Sequence, residues 1–101
     1  MALRLVYDPR AHADLDSIYD WIADQSDPET AFAYTSRLQA ACERLIEFPR
    51  RGTPRDDLAP GIRTISFERR DIIAYLVEPG HVLIVGIFHH GRDVRRAFVD
   101  E

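Results

Sequence analysis

Five residues of types suited to proton or phosphate chemistry sit in the second half of this 101-residue chain: Arg63, Tyr75, His89, His90 and Arg92. A ribonuclease that attacks through a ribose 2′-hydroxyl needs a base, an acid and cations on the phosphate. A histidine, the tyrosine and the arginines supply those types, which makes Arg63, Tyr75, His90 and Arg92 the catalytic set of that reading. The competing reading is structural: His ends a strand, Tyr fills the core and Arg solubilises the rim. The structural reading is favoured, because the chain is acidic and lacks the broad basic surface that an RNA ligand rewards. His89 and His90 are adjacent, and adjacent strand residues point to opposite faces, so the pair is not expected to clamp one metal ion. Asp56 and Asp57 share that limitation and read as a solvated loop. There is no glycine-rich phosphate loop, no Cys/His metal spacing and no nucleophile elbow. Neither a metal nor a cofactor is expected.

Every cation is an arginine. Of 101 residues 30% are charged and 46% hydrophobic, with a formal net charge of −4 and no lysine at all. Each positive group is thus a planar fork suited to carboxylate or phosphate, and none is a titrating amine. The charge is uneven. The first 49 residues carry the whole acidic excess, with four arginines against nine acids, and the remainder, with nine against eight, is slightly basic. A net negative chain is not expected to wrap nucleic acid or to read its sequence. A single cysteine, Cys42, excludes an internal disulfide and fits a reducing compartment. At a helical core spacing it reads as an inert small hydrophobe. The first ten residues, MALRLVYDPR, lack the layout of a signal peptide, and the longest apolar run, residues 82–88, is far too short to span a bilayer. The expected location is the cytoplasm, with no membrane contact, and the length suits one domain over residues 1–101.

The elements that must position these residues are readable in order. Residues 3–7 are a short apolar strand. Asp8-Pro9 and Asp27-Pro28 are two helix starts of the same kind, an aspartate cap followed by a proline that suits the first helical position. Ala11, Leu15, Ile18 and Ile22 make one helical core stripe, and Ala31, Leu38, Ala41, Cys42, Leu45 and Phe48 make the second, ended by Pro49. Asp14, Asp16, Asp20 and Asp24 read as a solvated face. Two helices joined this closely form an antiparallel hairpin. Residues 50–60 read as a loop. Residues 62–67, 72–77 and 82–88 read as three antiparallel strands linked by turns at 68–71 and 78–81. The tail, 93–101, reads as a short helix or an edge strand. The fold class is therefore α+β, β-α-α-β-β-β, with a helical hairpin on one face of a small, mainly antiparallel sheet.

Two consequences follow from that layout. In an antiparallel meander Arg63, at the start of one strand, lies away from the end of the last strand, so Phe67, Arg69 and Arg70 are the expected neighbours of the histidines. The two inner strands are apolar on both faces, and the hairpin covers only one. The other face needs cover from the tail, a second copy or a partner protein, because a bare run such as VLIVGIF is an aggregation hazard.

Several segments, in order and spacing, resemble the RelE/ParE superfamily of bacterial type II toxins, and more closely its ParE branch. They are AHADLDSIYDWI on the first helix, LIEFPRRG at the end of the second, LAPGIR, FERRDIIAYLV, and VLIVGIFHHGRDV. The resemblance implies a toxin that inhibits DNA gyrase by binding, not catalysis. It also implies a small ParD-like antitoxin with a DNA-binding N-terminal part, forming a hetero-oligomer with the toxin. Contacts to target or antitoxin are expected from Arg63, Arg69, Arg70, His89, His90, Arg92, Arg95 and Arg96. RelE-like members instead cut mRNA on the ribosome, which is the alternative reading here, and a non-toxic antitoxin-binding module is a further one. His90-Gly91-Arg92-Asp93 matches the ParE-style ending better, and the absence of lysine departs from the RelE pattern.

Overall fold

Two Asp-Pro pairs start the two long helices, as their chemistry dictates. In the computed structural model, which describes residues 3–90 and 94–98, the Asp8 carboxylate accepts the Arg10 N–H at 2.9 Å. Asp27 does the same for Thr30 at 2.7 Å, and these bonds hold the Asp27 carboxyl below its ordinary range. Helix α1 spans Pro9–Gln25 and α2 spans Pro28–Arg44. With only two residues between them they turn back on each other. Ala11, Leu15, Ile18 and Ile22 meet Ala31, Leu38, Ala41, Cys42 and Leu45, all buried. Tyr34 and Thr35 of α2 are buried as well. Burial raises the Cys42 thiol to about 11, which keeps it protonated and inert.

The expected place of Phe48 in that stripe is wrong: the side chain is 64% exposed. The helix stops at Arg44, five residues short of Pro49, and continues as tighter turns. Leu45, Ile46 and Glu47 each donate to the carbonyl three residues back. The change from 3.6 to about three residues per turn rotates the later side chains off the core.

The sheet has five strands in the order β1-β5-β4-β3-β2. They are β1 (Arg4–Tyr7), β2 (Thr53–Pro54), β3 (Arg63–Phe67), β4 (Asp71–Glu78) and β5 (His81–His89). β1 runs parallel to β5, and every other pair is antiparallel. The two-residue β2 lies inside the segment that reads as a loop. The β4–β5 ladder slips by one residue: Tyr75 faces Ile84 while Ala74 faces Gly86, so Val85 is extra. Such a bulge reverses which residues face which side of the sheet. Val82 and Ile84 before it, and Ile87 after it, all pack under the helices, whereas Val85 and Phe88 face away.

The second face of the sheet is covered by the chain itself. A five-residue helix α3 (Val94–Phe98) and residues 55–62 lay Val94, Phe98, Leu58 and Ile62 over Ala74, Leu76 and Phe88. The undecided tail is thus a helix where it is described. Asp57 bonds both nitrogens of the Arg55 fork at 2.9 Å and also takes Arg95 of α3 at 3.1 Å. The Arg55 fork is the main reason the Asp57 carboxyl falls to about 2. Asp56 accepts the Gly61 N–H at 2.8 Å. The two aspartates read as solvated loop residues therefore pin the loop.

If the second face is a genuine core, Phe88→Ala should cost about 3–5 kcal/mol in chemical denaturation. Phe48→Ala, on the exposed turn, should stay within about 0.5 kcal/mol. Equal effects at the two sites would contradict this account of the packing.

Candidate functional site at the end of the sheet

The residues singled out for chemistry fall into two groups at opposite ends of β4. At one end, Arg63 pairs with Tyr75 across β3 and β4. Both are tied to backbone. The Tyr75 hydroxyl donates to Pro49 O at 2.8 Å and accepts the Gly52 N–H at 3.0 Å. Arg63 Nη1 donates to Arg50 O at 2.9 Å and Gly52 O at 2.7 Å. Together they clasp the turn that leads from α2 into β2. Only glycine fits inside the clasp, since a Cβ at residue 52 would stand 2.6 Å from the Tyr75 hydroxyl. Burial raises the Tyr75 phenol above its ordinary value, although the Gly52 N–H and Arg63 oppose the shift.

At the other end Phe67 pairs with Asp71, and Asp71 with His89. Arg63 is thus far from the histidines, and the 68–70 turn adjoins them, as the meander geometry requires. Asp71 is 1% exposed. Its carboxylate accepts the Tyr34 hydroxyl at 2.7 Å, faces His89 Nδ1 at 2.6 Å and accepts the His90 N–H at 3.2 Å. One buried carboxylate therefore joins α2, β4 and the end of β5. With Asp71 as acceptor the ring proton of His89 belongs on Nδ1, which leaves Nε2 buried and without a partner among the described residues. Asp71 and Tyr34 had no place among the candidate residues. The hydroxyl of Tyr34 is held well above its ordinary pKa, first by burial and then by its bond to Asp71.

The histidine pair is not split between faces as strand alternation predicts. The two rings lie with centroids 4.1 Å apart, and both make T-shaped contacts with Trp21 on α1, at 4.9 Å from His89 and 5.7 Å from His90. The reason is backbone conformation. β5 ends at His89, and His90 takes the left-handed region at φ 60°, so the alternation stops between them. The Asp71 bond to the His90 N–H holds that turn.

Beside the pair, Arg10, Asp14, Ser17, Trp21, Phe88 and both histidines line a cleft of about 440 Å³. It opens where β1 stops at Tyr7 and leaves the far half of β5 without a strand neighbour on that side. Asp14 fills the gap: its carboxylate accepts the Ile87 N–H at 2.9 Å. That corrects its placement on the solvated face of α1. Burial raises the Asp14 carboxyl above its ordinary value, against the opposing pull of the Ile87 N–H and Arg10. Of the remaining candidates, Arg95 is bonded to Asp57, Arg96 is exposed, and Arg92 lies outside the described residues. Among the described residues no group of three or more His, Cys, Asp or Glu side chains is arranged to hold a metal ion, and no helix is long and apolar enough to cross a membrane.

The same fold and length recur in known proteins. The family model of the ParE toxin of type II toxin–antitoxin systems matches residues 5–94. This chain belongs to the ParE toxin family. Toxin ParE1 of Mycobacterium tuberculosis is 30% identical over 96 residues, covering 95% of this chain and 98% of the relative. Toxin ParE3 of Caulobacter vibrioides is 32% identical over 74 residues, 73% of each. The chromosomal ParDE system of P. aeruginosa contains a chain that superposes with a TM-score of 0.78 at 27% identity, covering 87% of this chain and 96% of its own. The protein is therefore the toxin component of a type II toxin–antitoxin system, with the RelE/ParE-like α+β fold that its segments resemble.

Two tests address the toxin's carboxylates. Asp71→Ala strands three donors in the interior and should cost about 3–5 kcal/mol in denaturant unfolding. For Asp14 the raised pKa means the fold favours the protonated acid. Its contribution to stability is fully present at acid pH and declines as pH rises through the raised value. Asp14→Asn keeps an acceptor for Ile87 and removes the charge, so its melting temperature relative to the unmodified toxin should rise from acid to neutral pH. A difference that is flat with pH would show that Asp14 titrates normally.

Proposed function

We propose that this toxin acts in the cytoplasm by binding DNA gyrase and stalling it with cleaved DNA, without catalysis of its own, and that a ParD-like antitoxin encoded alongside neutralises it in a hetero-oligomer. The carrying observation is the match to the ParE family across nearly the whole chain. Local geometry supports the non-enzymatic part. Arg63 and Tyr75, half of the set a ribonuclease would use, are spent on holding backbone carbonyls and an N–H group. They also stand at the far end of β4 from the histidines. His89 is itself committed to a buried carboxylate.

Expression of the toxin alone should arrest growth with filamentation and DNA damage signalling, and purified toxin should raise the yield of cleaved DNA in a gyrase reaction. Co-expression of the antitoxin should abolish both. Cleavage of translated mRNA within minutes of induction, read by toeprinting, with gyrase unaffected, would overturn the proposal in favour of the ribonuclease.

A further inference from the structure

The turn between β3 and β4 holds its arginines in a conformation that internal contacts do not explain. Glu68 and Arg69 both lie in the left-handed region, at φ 50° and 57°. Asn and Gly are the residues that favour such turns, and long side chains are strained there. For Glu68 the chain supplies a compensation, since the Arg37 fork from α2 bonds both its oxygens at 2.8 and 3.0 Å. For Arg69 the described residues supply none. Neither Arg69 nor Arg70 has a carboxylate partner among the described residues, and Arg70 rests on the Tyr34 ring at 5.4 Å. Both line a cleft of about 170 Å³ with Ser66, Ile72, His90 and Asp71, whose carboxylate is already engaged by Tyr34, His89 and the His90 N–H.

His90 also lines the larger cleft beside Trp21. The two clefts are thus neighbours with one shared wall, set in place by the bond from the His90 N–H to Asp71. One offers two guanidinium groups without a carboxylate partner among the described residues. The other is lined by Phe88 and by Trp21, which is 45% exposed. Strand addition at this edge is opposed, because Asp14 already occupies the Ile87 N–H. What remains is recognition by side chains.

We infer that these two clefts form one socket for an acidic, extended protein segment: a carboxylate binds between Arg69 and Arg70, and a neighbouring apolar side chain enters against Trp21. The occupant is an acidic segment of the antitoxin. This rests on the toxin–antitoxin reading above and adds the place and the chemistry of the contact. Charge favours a protein over a nucleic acid, since the chain carries a net −4 and Asp14 lies in the same cleft.

Trp21 is the only tryptophan, so its emission reports the socket directly. Full-length antitoxin added to the toxin should shift that emission. An Arg69→Gly, Arg70→Gln variant should bind the antitoxin at least tenfold more weakly, with a flatter dependence on salt. It should nevertheless melt no lower than the parent, because glycine relieves the strained turn. Undiminished, equally salt-dependent binding by the variant would overturn the socket and leave the proposed function standing. If the parent toxin binds no antitoxin, the proposed partner and the socket fall together. A single-stranded oligonucleotide that shifts Trp21 emission in an Arg69- and Arg70-dependent way, with antitoxin binding unaffected by the double substitution, would reassign the site to nucleic acid.

Discussion

A single extra residue in the last strand decides which side chains reach the helices. Without Val85 as a bulge, the alternation begun by Val82 and Ile84 would continue through Gly86 and Phe88. His89 would then point to the α3 side, away from Tyr34, Asp71 and Trp21. With it, Ile87 joins the main core and His89 meets the buried carboxylate. The same slip leaves the Ile87 N–H free for Asp14 to take from α1. The absence of a side chain at Gly86 accommodates the approach, since a Cβ there would press on the Phe88 ring at 2.9 Å and stand 3.5 Å from Asp14. The bulge, the glycine and the aspartate are one device.

Asp71 then does for the tertiary structure what the bulge does for the strand. A buried carboxylate is unfavourable unless its acceptors are filled. Here three donors, one from α2 and two from the end of β5, fill them. The result fixes the direction in which the backbone leaves β5, and so the approach of α3 to the second face. The clasp of Arg63 and Tyr75 plays the matching role at the other end of the sheet, where it secures the turn after α2.

The regular elements were legible because each obeys a local rule. Asp-Pro caps, helical stripes and apolar runs between Pro-Gly and charged turns need no knowledge of distant residues. The ParE-like order of segments was legible for the same reason. What escaped were features set by contacts far apart in the chain. Tyr34 looks like any helix residue until Asp71 arrives beneath it. Asp14 sits among exposed aspartates and differs only because a strand ends opposite it. Phe48 keeps the right spacing for a helix that has already changed pitch. The histidine pair misled most: alternation is a rule for strands, and the strand ends between the two. A glycine inside VLIVGIF was the one available sign of the bulge. The doubly apolar strands were read correctly as needing cover, but residues 55–62 and α3 supply it, so they no longer argue for an obligate partner.

The parallel pairing of β1 with β5 has a consequence for how the toxin comes into being. Leu5 meets Val82, so the first strand made is completed by the last. Contacts this distant in sequence close late and slowly. During synthesis the helical hairpin can form early, while β1 waits, unpaired, for β5 to leave the ribosome. A truncated product lacks the strand that both β1 and the histidine cluster require. The protein is therefore assembled in an order that withholds the end of the sheet, where the histidine cluster lies, until β5 has been made.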